Sequence, residues 1–230
     1  PCKPPVQPAG GFSLCRAKEP TMALPPTYLF YKPYGVLSQF TPEGGHPTLS
    51  DYGPFARVVY PAGRLDADSE GLLLLTSDSN LLHRLTDPKF GHERTYLAQV
   101  ERVPSPDAIV RLCNGVMIGK YRTRPAVVRL LQEEPDLPPR PVPIRHRVTV
   151  PTCWLEAQLT EGKNRQVRRM TAAVGHPTLR LVRTGITFLT TEGLKPGTLR
   201  ELSDDEVRRL TELVGAPPSK HSEETSKSLR

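Results

Sequence analysis

Two common supports of small-domain chemistry are missing from this sequence. Its four cysteines, Cys2, Cys15, Cys113 and Cys153, form no CxxC pair, and the six histidines do not stand beside them at metal-ligand spacing. Neither a zinc site nor a disulfide framework is indicated. Long apolar runs are equally scarce. None approaches the ~20 residues needed to cross a bilayer, and the N-terminus lacks the charged, apolar, small-residue order of a secretory signal. A cytoplasmic protein is expected. No GxxxxGK[ST] phosphate loop occurs. Acidic groups are in deficit, 24 against 31 lysines and arginines, and the resulting net charge of +7 favours a polyanionic partner such as nucleic acid. Composition alone leaves ribosomal RNA, DNA and a membrane surface open.

What the chain has in quantity is proline. Many of its 26 prolines fall in residues 1–26 and 135–151, where a fixed φ and a missing N–H prevent regular structure. We expect a disordered proline-rich tail over 1–27, a folded body over 28–214 and a disordered polar tail over 215–230, with a surface loop at 135–151. Met22 stands just before the first ordered-looking run, which leaves residues 1–21 open to being read as an upstream extension. A chain of 230 residues buries a substantial core without staples.

Strand and helix signals mix along the body. Residues 28–31 are aromatic and apolar and stop at the basic turn Lys32-Pro33-Tyr34-Gly35. Residues 57–60 read as a short strand. Residues 72–75, all leucine and bounded by Gly71 and Ser77-Asp78, read as a buried one. Asp78 or Ser79 caps a helix through Leu81, Leu82 and Leu85 that ends before Pro88. Residues 94–100 alternate as a strand does, with Tyr96, Ala98 and Val100 on one face. Ser105-Pro106-Asp107 opens a helix and Asn114-Gly115 stops it. Residues 152–160 are strand-like, and Asn164 is the expected cap of a helix over 165–174 that ends at Gly175. Strands at 179–183 and 198–202 follow, and Ser203 with Glu206 is a capping-box pair opening a last helix. Strict alternation is absent, so the expected class is α+β with a mixed, largely antiparallel sheet.

Two constellations carry chemistry. Asp66, Asp68 and Glu70 alternate between Gly63 and Gly71. Their spacing fits the opening of a calcium loop, but the twelfth position is Ser77 and the intervening residues are apolar, which argues against calcium. A magnesium phosphoryl-transfer site, or a metal-dependent phosphodiesterase, would need further converging ligands. The remaining choice for each carboxylate is a solvated turn residue, and Asp68 and Glu70 are expected to be that.

The second constellation is Lys163-Asn164-Arg165-Gln166-Val167-Arg168-Arg169-Met170. On a helix Arg165, Arg168 and Arg169 share one face, opposite Val167, Met170 and Val174. So many like charges repel unless an anion sits among them. Arginine forks match phosphate and carboxylate alike, so RNA backbone, an internal aspartate or one of each would serve. A merely solvated basic face is the alternative.

The segments GRLDADSEGLLLLTSD and EGKNRQVRRM, with YKPYGVLSQF, RTYLAQVE and HPTLRLVR, resemble the RsuA-type family of ribosomal RNA pseudouridine synthases. Five segments in the family's order extend over roughly residues 28–203. Members that act on the small subunit carry a separate N-terminal RNA-binding domain, whereas only 27 residues precede Tyr28 here. The stretch from Val150 to Arg183 is similar to members acting on 23S rRNA.

This resemblance implies a pseudouridine synthase catalytic domain over 28–214 and an isomerase that needs neither cofactor nor metal. It implies Asp66 as nucleophile, Arg168 as its ion-pair partner, and a flipped uracil held between Tyr96 and Leu181. Such a carboxylate must be ionised while shielded from water, and a neighbouring arginine favours that form. Taken alone, Tyr96 would be a cross-strand aromatic and Leu181 plain core. Arg64 is expected on the flipped nucleotide's phosphate, and Lys32, Lys163, Arg165 and Arg169 on the RNA backbone. The expected partner is ribosomal RNA, 23S in particular, met by a monomer. A noncatalytic RNA-binding or ribosome-assembly factor on the same fold is the competing reading, which loss of the nucleophile would favour.

Overall fold

The computed structural model describes residues 24–55, 58–144 and 149–215. Eleven strands and four α-helices occur among them. Their order is β1 (Thr27–Lys32), β2 (Tyr60–Pro61), β3 (Glu70–Thr76), α1 (Ser79–Thr86), β4 (Arg94–Glu101), α2 (Pro106–Cys113), β5 (Met117–Ile118), β6 (Tyr121–Arg122), β7 (Val127–Leu130), β8 (Thr152–Leu159), α3 (Gln166–Ala173), β9 (Thr178–Ile186), β10 (Leu189–Thr190), β11 (Leu199–Glu201) and α4 (Asp204–Gly215). No helix among the described residues is long and apolar enough to cross a membrane. Residues 1–23 of the tail expected at 1–27, residues 216–230 of the tail expected at 215–230, Arg57 of the expected strand at 57–60, and residues 145–148 of the expected loop lie outside the described residues, while Thr27 already belongs to β1 and Gly215 still to α4.

Nine strands form one sheet in the order β11-β1-β3-β9-β4-β8-β7, with β2 added to β3 and β10 to β9. Every pairing is antiparallel except that of β3 with β9. The class is therefore α+β with a mixed, largely antiparallel sheet. Leu72, Leu73, Leu74 and Leu75 are fully buried because both faces of β3 are covered. Leu72 and Leu74 pack with α1 and α4, while Leu73 and Leu75 meet Phe30, Leu49 and Val59. Burial on that scale contributes roughly 1.5–3 kcal/mol per leucine, enough to hold the charged loop that precedes them. A second core lies where α2 and α3 cover β4, β8 and β9, around Leu112, Leu155, Leu159, Met170 and Leu181.

Local signals place the helix starts. The Asp78 carboxylate accepts from the amides of Asn80 and Leu81, and the Ser105 hydroxyl accepts from Ala108 at 3.2 Å. Ser203 and Glu206 complete a reciprocal box, with the Ser203 amide 2.9 Å from Glu206 Oε2. Each such cap is worth about 1 kcal/mol.

Two expected elements differ. Among the described residues the strand expected at 57–60 pairs only from Tyr60. The helix expected from Arg165 starts at Gln166, because Arg165 is its N-cap, in the left-handed region at φ 50°. The hairpin of β5 and β6, and the strand β7, were not anticipated.

Candidate active site

Residues 62–69 form a loop leading into β3, and its backbone is held on several sides. The Ser38 hydroxyl donates to the Leu65 carbonyl at 2.8 Å and accepts from the Leu65 amide at 3.0 Å. The Gly35 amide, in the basic turn after β1, donates to the Ala67 carbonyl at 2.7 Å, and Ser69 closes a turn onto the Asp66 carbonyl at 3.0 Å. Asp66 is thus presented from a fixed backbone, with its side chain about a third exposed at 34%.

The exit of the loop is pinned to β9, where Glu70 pairs with Val182 and Gly71 with Arg183. Gly71 has φ +101°, and a Cβ there would strike the Arg183 carbonyl and lie 2.8 Å from its amide nitrogen. Only glycine permits that approach. On the far side of β9, Arg183 pairs with Tyr96 and Leu181 with Ala98 of β4. Tyr96 and Leu181 are therefore diagonal neighbours on one face, a relation that spans roughly 7–8 Å, and both belong to the second core. Tyr96 is partly exposed and Leu181 buried. The segment 181–183 is where the Asp66 loop and the Tyr96 strand meet.

The ion pair expected between Asp66 and Arg168 is replaced by a shared arrangement. Arg165 lies nearer, its Nη1 3.4 Å from Asp66 Oδ2, while both its terminal nitrogens donate to the Asp68 carboxylate at 3.0 and 2.8 Å. Arg168 instead donates to the backbone carbonyls of Asp68 at 2.7 Å and Thr178 at 3.2 Å, with its Nη2 3.5 Å from Asp68 Oδ2. The reason is the left-handed Arg165, which leaves the helix and turns its side chain to the loop. A non-glycine residue in that conformation costs of order 1–2 kcal/mol and persists where its surroundings hold it. Arg169 remains exposed on α3, so the three arginines do not share one helix face.

Asp68 stays in the turn, about as exposed as Asp66 at 36%, but is ion-paired rather than free in solvent, and Glu70 is buried in β3. Burial draws the Asp68 carboxyl upward, but the Arg165 hydrogen bonds and the charges of Arg168 and Arg165 outweigh it and hold the group below its ordinary value. Burial also lowers Arg168, against the pull of Asp68. Glu70 is buried and accepts two bonds from Arg180, Nε to Oε1 at 2.9 Å and Nη2 to Oε2 at 2.8 Å.

Lys32, expected on the RNA backbone, is fully buried, and its ammonium donates to the carbonyls of Pro33 at 2.9 Å and Val36 at 2.8 Å. Burial pushes it down to about 7, opposed by the carboxylates of Glu70, Asp68 and Asp66. It braces the turn whose Gly35 holds Ala67. Arg64 is exposed, its Nη2 3.4 Å from Gln39 Oε1. Lys163 is exposed, with its ammonium 4.7 Å from the ring centre of Tyr121.

Sequence reading missed Glu70, Arg180 and Arg183. Arg183 is buried and donates from Nε to the Leu72 carbonyl at 2.7 Å, while its Nη2 has no partner. The available signal was two arginines inside an otherwise apolar strand, which cannot be buried unpaired.

A family model described as RNA pseudouridylate synthase matches residues 26–173, a span containing Asp66, Tyr96, Arg165 and Arg168. The chain belongs to that family. A protein of Xanthomonas campestris called ribosomal large subunit pseudouridine synthase E is 55% identical over 75% of this chain and 92% of its own length. Its namesake in Vibrio vulnificus is 47% identical over 76% and 74%. A Bacillus subtilis protein, ribosomal large subunit pseudouridine synthase B, is 35% identical over 83% and 73%. In three dimensions a solved pseudouridylate synthase superposes with a TM-score of 0.67 at 26% identity, covering 81% of this chain and 74% of that one.

As a pseudouridine synthase the chain is an isomerase. The reaction exchanges the N1–C1′ glycosidic bond of uridine for a C5–C1′ bond. Electrons balance within the nucleoside, with one proton lost from C5 and one gained at N1. Nothing in that balance calls for an electron carrier. The chemical demands are a nucleophile or base at the sugar, room for the uracil to turn, and charge to hold the RNA.

Proposed function

We propose that this chain isomerises a specific uridine of ribosomal RNA, in the 23S molecule of the large subunit, with Asp66 as the nucleophile. The observation that carries the reading is the setting of Asp66: a partly exposed carboxylate on a braced loop, with an arginine 3.4 Å away. The large-subunit names of the similar proteins support the 23S target.

In this reading the target nucleotide leaves its stack, and Asp66 attacks the nucleoside as the glycosidic bond breaks. The freed uracil turns between Tyr96 and Leu181, C5 displaces the Asp66 carboxylate from C1′, and the C5 proton departs as N1 gains one. Stacking a base on an aromatic ring is worth ~1–3 kcal/mol, a useful share of the few kcal/mol that unstacking costs. The Tyr96 hydroxyl serves as the nearby group for the proton that leaves C5. Arg165 supplies positive charge at Asp66, and Arg168 keeps the loop backbone in register through Asp68 and Thr178. Arg64 meets the phosphate of the flipped nucleotide, while Lys163 and Arg169 contact backbone beyond it. The chain acts as a monomer, over a catalytic domain of residues 28–214.

The test is tritium release from 23S rRNA transcribed with [5-³H]uridine, followed by mapping of the modified position. Wild type should release label at one site. Asp66→Asn, nearly isosteric but a poor nucleophile, should bind the same RNA and release none. Release by Asp66→Asn at the wild-type rate would sink the mechanism.

A further inference from the structure

We propose that a basic cleft between α2, the β5–β6 hairpin and α3, apart from the Asp66 site, binds the phosphodiester backbone of the substrate RNA outside the modified nucleotide. This rests on the reading of the chain as an RNA isomerase and adds a second contact surface to it.

The cleft has a volume of about 420 Å³ and is lined by Arg111, Asn114, Gly115, Val116, Met117, Arg122 and Ala173. Arg111 lies on the last turn of α2 and Arg122 on β6, and both are exposed. Neither forms an ion pair among the described residues, whereas Arg165, Arg168, Arg180 and Arg200 all do. Two guanidinium groups facing one concave surface without a carboxylate repel each other, and an anion between them removes the repulsion. Asn114 adds a neutral donor and acceptor of the kind that reads sugar and phosphate oxygens. Met117 is about half exposed at 53%, an apolar surface beside the charges on which a base face can rest.

The cleft is built rather than incidental, because the hairpin is tied to the catalytic helix by one buried carboxylate. Glu161 is almost wholly enclosed. It accepts from the Tyr121 hydroxyl and from the Arg124 amide on the hairpin side, and from Gln166 at the first turn of α3. Gln166 follows directly on Arg165. The other end of α3 supplies Ala173 to the cleft wall, so one short helix connects the arginines at Asp66 with the arginines of the cleft. Exposed Arg169, near Gly119 of the hairpin, and Lys163, over the Tyr121 ring, stand on the same connection. A strand of RNA entering the Asp66 site thus has a basic surface of fixed geometry along which to continue.

An RNA occupant is favoured because the bare charge is positive and the family acts on RNA. Each cation that no longer neutralises a phosphate shallows the dependence of log K on log salt by about 0.7–0.9.

The experiment measures KM and kcat for tritium release from [5-³H]uridine-labelled 23S transcript at several potassium chloride concentrations. The variants are Arg111→Ala with Arg122→Ala, the corresponding double change to glutamate, and the double change to lysine. The alanine pair should raise KM roughly tenfold and shallow the salt slope by about 1.4–1.8, the glutamate pair more, with the loss falling on KM rather than kcat. The lysine pair, which keeps the charge, should stay near wild type. A KM and salt slope equal to wild type in the folded alanine pair would overturn the proposal. Failure of wild type itself to release label from a 23S transcript that it retains in a parallel filter-binding assay would instead overturn the proposed reaction.

Discussion

Arg180 and Glu70 form a two-pronged ion pair inside the protein, 2.9 and 2.8 Å across, directly behind the loop that presents Asp66. Arg180 immediately precedes Leu181 on β9, and Glu70 is the first residue of β3. A third bond, from Arg180 Nη2 to the Pro138 carbonyl at 2.7 Å, draws the proline-rich loop to the same point. Breaking a buried pair by removing one partner costs ~3–5 kcal/mol, while replacing both with apolar groups is often near neutral. Glu70→Gln should therefore lower the melting temperature by roughly 6–20 °C, at about 2–4 °C per kcal/mol for a chain this size. The double variant Glu70→Leu with Arg180→Met should recover most of that loss. Thermal unfolding of wild type and the two variants checks it, and an unaltered melting temperature for Glu70→Gln would contradict the pair's structural weight.

Arg165 and Arg168 should separate function from stability. Arg165 is about two-fifths exposed, at 41%, and carries the charge at Asp66, so Arg165→Ala should cut isomerisation by tenfold or more while barely moving the melting temperature. Arg168 is mostly buried and ties two backbone segments together. Hydrogen bonds from a charged donor contribute about 1.5–3 kcal/mol each, so Arg168→Ala, which removes two, should lower the melting temperature by at least roughly 6 °C along with the rate. Single-turnover rates and thermal scans on the same preparations decide the matter. Equal effects of the two changes on both readouts would mean that the division is wrong.

What could be read in advance followed the range of the interaction. Caps at Asp78, Ser105 and Ser203 involve residues within three positions of each other, and the four leucines of β3 announce their own burial. The alternation of 94–100 placed Tyr96, Ala98 and Val100 on one face. By contrast Glu70 and Arg180 are 110 residues apart, and nothing local marks Glu70 as paired rather than solvated. Lys32 looked like an RNA contact because a lysine in a turn is normally exposed. Its burial depends on the Pro33 and Val36 carbonyls, which become available only once the turn is formed. The displacement of Arg165 from the helix has the same origin, since its left-handed backbone is sustained by Asp68, 97 residues away. Strands β5 and β6, two residues each, are too short to show a period.

Gly71 should be among the least replaceable residues in the chain. Its positive φ and the adjoining Arg183 backbone leave no room for a Cβ, and the obstacle is main chain of a central strand, which cannot move aside cheaply. Gly71→Ala combines left-handed strain of order 1–2 kcal/mol with overpacking of about 1–3 kcal/mol. Loss of roughly 2–5 kcal/mol in urea unfolding is expected, with activity falling as the Asp66 loop is displaced. An alanine variant of wild-type stability would show that β3 and β9 can part at this point.

His92 should govern part of the acid sensitivity. It lies just before β4, buried, with its Nδ1 lacking a partner. Burial, aided by the charges of Arg94 and Arg183, pushes its imidazole down to about 3 from an ordinary 6.5. The folded protein therefore keeps His92 neutral where the unfolded chain protonates it. Stability rises with pH wherever the unfolded state holds more protons. The contribution of His92 is accordingly intact above pH 6.5 and is lost progressively as pH falls toward 3. With about 1.4 kcal/mol per pH unit, the loss at pH 4 reaches about 3 kcal/mol. His92→Gln cannot titrate, so its urea midpoint should fall less between pH 7 and pH 4 than that of wild type, even where its stability at pH 7 is lower. Parallel pH dependences in the two proteins would mean that His92 is protonated in the folded state, and that its neighbours Arg94 and Arg183 do not exclude the charge.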